Sequence, residues 1–147
     1  MNAYTVRKSR GFTLIELIAV IVVLAILAGV ALPKYFDYSA SAKESAVKGT
    51  LGGVRAGIAN FYANSAVSGN ATYPTLAQLI ELGTVMQEPL PANPYKNSNN
   101  ANGVRAATWN AANPPVDANA TAGWNYDAAA GKFWANSTTT GVNEHLW

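Results

Sequence analysis

The chain has 147 residues, a net charge of +2 at pH 7 and no cysteine. This length predicts one domain with one modest core, and the lack of cysteine excludes a disulfide framework, a thiol catalyst and any cysteine-based zinc or iron–sulfur site. A single histidine, His145, leaves little for a catalytic triad or a histidine-ligated metal. The excess positive charge lies in the first ten residues. Residues 33–147 carry equal numbers of acidic and basic groups and give no electrostatic indication of nucleic-acid binding.

The first element is an apolar run from Phe12 to Leu32, interrupted only by Thr13, Glu16 and Gly29. A helix of these 21 residues is about 31 Å long, which matches a hydrocarbon core of about 30 Å. The preceding segment is short and basic, so we expect the N-terminus to stay in the cytoplasm and the C-terminal body to cross the membrane. The pattern predicts one membrane-spanning helix at residues 12–32.

Two simpler explanations compete with this anchor. A secretory signal peptide would use Gly29–Ala31 as its small-residue cleavage site, but the apolar run exceeds the usual length of about 7–15 residues and contains a carboxylate. A plain signal anchor explains every feature except Glu16.

Glu16 is the informative residue of the run. A carboxylate inside a bilayer costs about 2.5–3.5 kcal/mol on insertion scales and is normally paired or functional. No Lys or Arg lies in residues 12–32, so its counter-charge has to come from elsewhere. Cleavage immediately before Phe12 would create an α-amino group one helical turn away, and an identical neighbouring chain could supply that group equally well.

At this point the sequence resembles a known family. Residues 10–18, which read Arg-Gly-Phe-Thr-Leu-Ile-Glu-Leu-Ile, resemble the processing motif of type IV pilins and type II secretion pseudopilins. The resemblance implies that a prepilin peptidase cleaves between Gly11 and Phe12, removes residues 1–11 as a leader and methylates the new N-terminal Phe12. It also implies that Glu16 neutralises the amine of an adjacent subunit during assembly. Such a pair fixes the position of one subunit relative to the next, because removing one member leaves the other buried and unpaired at a cost of several kcal/mol.

The helix has a predicted weak point where it leaves the membrane. Pro33 lacks a backbone N–H and its ring clashes with the preceding turn, so it kinks or interrupts a helix. Gly29 lies four residues earlier, and the resemblance implies that this stretch can lose order on assembly.

Helical periodicity then resumes and predicts a helix that ends near residues 64–69. Apolar residues recur at spacings of 4, 3, 4 and 3, which predicts one buried stripe packed on a small sheet: Val47, Leu51, Val54, Ile58 and Phe61. The glycines at 49, 53 and 57 have two interpretations: they permit close helix packing in a filament core, or they mark a locally weak helix held by tertiary contacts.

The remaining elements are short. Residues 73–83 predict a helix that begins near Thr75 and stops at Gly83. Residues 124–126 and 131–136 predict a hairpin, joined by a strand near residues 104–109. Its aromatic residues are predicted to form core, with a ligand-stacking surface as the alternative, and the Asn-rich loops at 97–102 and 110–120 are predicted to be exposed.

The sequence contains no recognisable catalytic or cofactor motif, so no enzyme and no cofactor are predicted. Calcium is the one metal that the resemblance brings up, because major pseudopilins often hold it in a C-terminal loop. The Asp- and Gly-rich loop of that kind is not evident, although Asp117 and nearby Asn carbonyls offer oxygen ligands.

Together these features predict an α+β fold of pilin-like lollipop form, in which one long N-terminal helix, half in the membrane and half soluble, packs on a small antiparallel sheet. The predicted organisation is a leader at 1–11, a membrane and filament-core helix at 12–32, and a periplasmic globular domain at 33–147. The chain would be a single-pass protein of the bacterial inner membrane, with its N-terminus cytoplasmic, until it enters a filament.

The predicted function is that of a structural subunit of a homo-oligomeric helical filament. The preferred interpretation is a pseudopilin of a type II secretion system, similar to the major, G-type pseudopilins. Its expected partners are the prepilin peptidase, an inner-membrane assembly platform, minor pseudopilins and membrane lipid, and no nucleic acid. The alternatives are a type IV pilus subunit for adhesion, twitching or DNA uptake, and a membrane-anchored periplasmic module that binds a ligand through its C-terminal aromatics.

Overall fold

The computed structural model describes residues 11–147, so most of the predicted leader lies outside the described residues. The chain divides into two compact units, one up to Ala40 and one from Ser41 to Trp147. The described elements are helix α1 (Leu14–Val67), helix α2 (Leu76–Ile80), strands β1 (Val104–Ala106), β2 (Trp124–Asp127) and β3 (Lys132–Ala135), and a 3-10 helix at Glu144–Leu146.

In the first unit, α1 exposes its large apolar side chains on every side, as the predicted membrane helix requires. The helix continues through Gly29 and Pro33 without a break. Pro33 removes the hydrogen bond that the Gly29 carbonyl would otherwise accept, so the weak point is present in the sequence but does not interrupt the helix. A kink or a loss of order on assembly stays a prediction.

In the second unit, the C-terminal half of α1 supplies one side of the core. Val47, Leu51, Val54 and Ile58 are buried and Phe61 is half-buried, which confirms the predicted stripe. The helix ends at Val67, inside the predicted range, and Gly69 follows with a positive φ of 83°.

The glycines of this half-helix differ from one another. A methyl group at Gly57 would lie 3.1 Å from the Val85 carbonyl oxygen and 3.3 Å from the Met86 sulfur, so this glycine permits a close tertiary contact. Gly49 and Gly53 are exposed and have no such neighbour. Tertiary packing within the chain therefore explains only Gly57.

Helix α2 begins after Thr75 as predicted but ends at Ile80. The Thr75 hydroxyl oxygen accepts a bond from the Gln78 amide, and the Gln78 side chain accepts one from the Thr75 amide, at 3.3 and 2.9 Å. This reciprocal pair is a capping box, which satisfies two backbone donors at the start of the helix. Gly83 has a φ of 87° but lies three residues beyond the end of the helix, whose C-cap is the extended Glu81, so the prediction that the helix stops at Gly83 was wrong.

The three-stranded sheet has the order β1–β2–β3. Strands β2 and β3 form the predicted antiparallel hairpin, with Asn125 opposite Trp134. Strand β1 instead runs parallel to β2, with Val104 opposite Trp124, so the prediction of an antiparallel sheet was wrong for this pair. Residues 107–123 are long enough to return the chain to the same end of the sheet, which a parallel pair requires.

Both faces of the hairpin are buried. On one face, Trp124, Tyr126 and Phe133 pack with the α1 stripe and Leu79. On the other face, Trp134 makes an edge contact with Trp109, with ring centroids 5.1 Å apart. The predicted aromatic core and the α+β fold class are thereby confirmed.

Candidate functional site

The predicted cleavage point lies just ahead of α1. Gly11, Phe12 and Thr13 are not helical, and Leu14 is the first helical residue. Gly11 is exposed, a methyl group placed on it would meet no atom within 4 Å, and the Phe12 side chain is 92% exposed. The peptide bond between Gly11 and Phe12 is therefore accessible in a segment that no secondary structure protects.

A capping box begins the helix two residues after this bond. The backbone amide and the hydroxyl of Thr13 donate to Glu16 Oε2 over 2.8 and 2.9 Å, and the Glu16 amide donates back to the Thr13 hydroxyl oxygen over 3.3 Å. These bonds satisfy backbone donors that the first turn of a helix leaves without partners. A carboxylate in the first turn also interacts favourably with the helix dipole.

The contact of Thr13 with Glu16 was not predicted from the sequence. A Thr followed three residues later by Glu at the start of an apolar run is the sequence signature of a capping box. Within the described residues, Thr13 donates both hydrogen bonds that the Glu16 carboxylate accepts.

Glu16 has no cationic partner in the described part of the chain. The two ion pairs formed within residues 11–147 are Lys48–Glu44 and Arg105–Asp117. Both hydrogen bonds that Glu16 accepts fall on Oε2. The other oxygen, Oε1, accepts no hydrogen bond from the described residues.

Around this carboxylate, α1 presents a continuous apolar surface. Among the residues described, it is the one helix with the length and apolar character needed to cross a membrane. Its large side chains from Leu14 to Leu32 are all exposed. Such a surface requires lipid or other apolar helices as its surroundings, because water disfavours contiguous apolar area of this extent.

The polar groups of three C-terminal aromatic residues are bonded within the fold. The indole N–H of Trp124 donates to the Pro91 carbonyl over 3.0 Å, and that of Trp134 donates to the Pro115 carbonyl over 2.9 Å. The Tyr126 hydroxyl donates to the Pro74 carbonyl over 2.6 Å. Burial, with a further contribution from the Asp127 charge, raises the pKa of Tyr126 to about 12. These polar groups are thus satisfied inside the fold.

Three buried asparagines hold the loops against the sheet. The Asn93 amide donates to the Gly123 carbonyl and the Ser137 hydroxyl, both over 2.9 Å. Asn136 donates to the Ala122 carbonyl, and its Oδ1 accepts from the Asn125 side chain and the Asp117 amide. The sequence prediction placed Asn125 and Asn136 in the hairpin strands but did not predict this network, because the network depends on the loop that covers the sheet.

Asp117, the residue considered for calcium, is engaged by the chain itself. Its Oδ2 accepts from Arg105 over 2.9 Å, and its Oδ1 accepts from the Asn119 and Ala120 amides over 3.0 and 3.2 Å. Within residues 11–147 no three His, Cys, Asp or Glu side chains come together in a way that could hold a metal ion. The geometry identifies Asp117 as a residue that closes its own loop.

A second set of contacts holds the last described segment. Arg55 donates from Nε and Nη2 to the Phe133 carbonyl over 3.1 and 3.0 Å, and from Nη2 to the Trp147 carbonyl. The Lys48 ammonium lies 4.6 Å from the centroid of the Trp147 ring. The fully buried Glu144 carboxylate accepts from the amide and hydroxyl of Thr139 over 2.9 and 3.0 Å. These polar contacts fix residues 137–147 without a covalent cross-link.

Comparison with known proteins locates similarity in the N-terminal part of the chain. The family model described as the prokaryotic N-terminal methylation motif matches residues 6–32. The fimbrial protein EcpC of Eikenella corrodens is 41% identical over 58 residues, which cover 40% of this chain and 38% of that protein. The type IV major pilin PilE of Neisseria gonorrhoeae is 43% identical over 58 residues, covering 40% of this chain and 35% of that protein.

A fimbrial protein of Neisseria meningitidis serogroup B is 46% identical over 55 residues, which cover 37% of this chain and 32% of that protein. The matched part thus spans a third to two fifths of the length of these relatives. No solved structure gives a significant match. The family model therefore covers the site at the start of α1.

Proposed function

We propose that the chain, which resembles type IV pilins in its N-terminal motif and its relatives, assembles with copies of itself into a helical filament. In this role it is a structural protein and not an enzyme. One observation supports the proposal above the others: α1 exposes an apolar surface whose one carboxylate, Glu16, lacks a counter-charge within the described chain.

Processing comes first in this proposal. A membrane prepilin peptidase cleaves the exposed bond between Gly11 and Phe12 and methylates the new N-terminus. The leader at 1–11 carries the excess basic residues that keep it in the cytoplasm. Residues 12–32 then anchor the subunit in the inner membrane, and residues 33–147 lie on the periplasmic side.

Assembly then brings the amine of one subunit to the carboxylate of another. The Phe12 amine of an incoming subunit pairs with Glu16 Oε1 of its neighbour, while Thr13 continues to hold Oε2. Each charge relieves the cost of burying the other, and an unpaired charge in the filament core costs several kcal/mol. The apolar halves of α1 leave the bilayer and pack against one another, so their side chains stay out of water.

Between the two kinds of filament, we favour a surface pilus assembled through an inner-membrane platform. The support comes from the relatives, which are fimbrial proteins and type IV major pilins. The second candidate is a type II secretion pseudopilin that works with minor pseudopilins. It is favoured by the lack of cysteine, because many type IV pilins staple the C-terminal loop with a disulfide. Electron microscopy separates the two: long surface fibres lost on deletion support the pilus, and secretion lost without such fibres supports the pseudopilus.

The assembly proposal is tested by comparing two variants that break the same capping box. Glu16→Ala removes the carboxylate and is expected to abolish crosslinkable polymers while cleavage continues. Thr13→Ala breaks the capping box but leaves the carboxylate, so polymers should still form. Normal polymerisation of Glu16→Ala would contradict the proposal, and so would equal loss of polymers in both variants.

Processing is tested by the intact mass of the membrane-extracted protein. The expected mass corresponds to a chain that begins at a methylated Phe12. A bulky replacement of Gly11 should leave an unassembled precursor in the membrane. Filaments composed of chains that retain residues 1–11 would overturn the processing step.

A further inference from the structure

Three aromatic residues lie in a stretch of four residues shortly after the apolar run. Tyr35, Phe36 and Tyr38 are 69, 68 and 69% exposed, and the Tyr35 and Phe36 rings meet edge-on with centroids 6.2 Å apart. Lys34 beside them is also exposed. Neither the cleavage site nor the carboxylate pair uses these side chains, and we call residues 34–38 the aromatic collar.

The position of the collar matches one layer of a bilayer. At about 1.5 Å per residue, Tyr35 and Tyr38 lie roughly 4.5 and 9 Å beyond Leu32, the last residue of the apolar run. The headgroup layer on each side of the hydrocarbon core is about 5–7.5 Å thick. Helical side chains also point back toward the N-terminus, which moves the rings toward the boundary between headgroups and hydrocarbon.

The chemistry of the collar suits that layer. Tyrosine carries an apolar ring and a polar hydroxyl, and it is enriched where hydrocarbon meets water. Lysine extends its apolar stem along the membrane and keeps its ammonium group among the headgroups. At about 100° per residue the three rings spread over roughly 160° of the helix circumference, wider than the seam by which one helix contacts one partner.

We propose that the aromatic collar binds the headgroup layer of the membrane on the side of the C-terminal body and thereby sets the depth of α1 before assembly. This inference rests on the membrane-anchored subunit of the proposed function. Its occupant is the lipid headgroup layer, and not a second copy of the chain.

The collar at one end of the helix determines the depth of the site at the other end. Glu16 lies 16 residues before Leu32, which places it about 24 Å below the outer edge of a 30 Å hydrocarbon core and about 6 Å from the inner edge. The bond between Gly11 and Phe12 then lies at the inner headgroup layer. Without the collar, the helix can slide along the membrane normal and carry both features with it.

The chain contains no cysteine, so one nitroxide label can report its depth. The full-length chain with Leu32→Cys is labelled and reconstituted in vesicles of phosphatidylethanolamine and phosphatidylglycerol. Depth is measured from the relative accessibility of the label to oxygen and to a water-soluble nickel complex. Two variants are compared with the unaltered collar: one in which Tyr35, Phe36 and Tyr38 are all replaced by Leu, and one in which all three are replaced by Trp.

The Leu variant keeps the collar apolar but removes its preference for the headgroup layer, so the label should move inward by about one helical turn, roughly 5 Å. The Trp variant retains that preference and should keep the original depth. The proposal is overturned if the Leu variant keeps the original depth, or if the Trp variant moves as far as the Leu variant.

Assembly provides a separate outcome. Glu16→Ala should block polymers without changing the depth of the label, so failure of filament assembly and failure of the collar are distinguishable. If the Leu variant keeps its depth but forms fewer polymers, the rings pack between copies of the chain and the collar proposal fails. A label at residue 32 that reports only water in the unaltered chain would overturn the collar and the membrane anchor together.

Discussion

Residues 14–40 and residues 41–147 use apolar side chains in opposite ways. The first region is rich in Leu, Ile and Val and leaves all of them exposed. The second is rich in Ala and Asn, yet it buries Trp124, Tyr126, Phe133 and Trp134 almost completely. The comparison shows that apolar content does not identify a core: the first region depends on surroundings that the chain does not supply, and the second is held by its own contacts.

The strongest test of this comparison removes one large apolar side chain from each region. Trp134→Ala leaves a cavity behind the sheet and should lower the free energy of unfolding by about 3–5 kcal/mol. Leu24→Ala alters an exposed side chain of the predicted membrane helix and should leave the free energy of unfolding unchanged. Urea unfolding of the full-length chain in detergent micelles, followed by tryptophan fluorescence, measures both variants. Equal losses would show that the two regions are not distinct in this way.

The buried asparagines provide the next test, because their hydrogen bonds stabilise the second region in addition to its aromatic packing. Asn136→Ala removes a bond to the Ala122 carbonyl and strands the Asp117 amide, and the expected loss is about 2–3 kcal/mol. Asn97→Ala, at an exposed asparagine of the same region, is the matched control and should change stability by less than about 0.5 kcal/mol. A neutral Asn136→Ala would mean that the network contributes nothing to folding.

Arg55 tests whether α1 holds the last segment of the chain. Arg55→Ala should lower the free energy of unfolding by about 1.5–3 kcal/mol, because charge-assisted bonds to the Phe133 and Trp147 carbonyls are lost. Arg55→Lys keeps the charge without the planar fork and should restore part of the loss. Hydrogen exchange should show faster exchange in residues 137–147 of the Ala variant. Uniform acceleration across the whole second region would contradict a local contact.

The smallest expected effect is a pH dependence at one buried hydroxyl. The pKa of Tyr126 is about 12 in the folded chain and about 10 when unfolded, so the unfolded state loses its proton first. The stability due to this group is present below pH 10 and is lost as pH rises toward 12.

At neutral pH, Tyr126→Phe should lower the free energy of unfolding by about 1 kcal/mol, because the hydrogen bond to the Pro74 carbonyl is lost. Between pH 10 and 12, the urea midpoint of this variant should fall less steeply than that of the unaltered chain. Tyr38→Phe, at an exposed tyrosine of the first region, should reproduce the original curve. Parallel curves for Tyr126→Phe and the unaltered chain would show that this hydroxyl does not contribute.

Local patterns in the sequence predicted much of the fold. The α1 stripe, the Thr75 cap and the hairpin depend on residues a few positions apart, and the structure confirms each of them. The direction of β1 and the burial of Asn125 depend on the path of the chain through residues 107–123, and a short-range sequence pattern does not predict that path. The asparagines of the loops at 97–102 and 110–120 are exposed as predicted, whereas the buried Asn93, Asn125 and Asn136 lie outside those loops.

At the N-terminal site, the motif predicted the residues but not their arrangement. Gly11, Phe12 and Glu16 were identified from residue types and order, and the structure adds an accessible bond and a capped helix start. Within the described residues the carboxylate of Glu16 contacts only Thr13, so its pairing with the amine of another subunit stays a prediction.

The Thr13–Glu16 capping box has one more consequence for growth of the proposed filament. A free glutamate samples many rotamers, and fixing it on association lowers the affinity for an arriving amine. Here the side chain is immobilised by its own helix beforehand, with Oε1 still available. Each docked subunit thus presents a preorganised acceptor, and the addition of the next subunit does not have to wait for that acceptor to form.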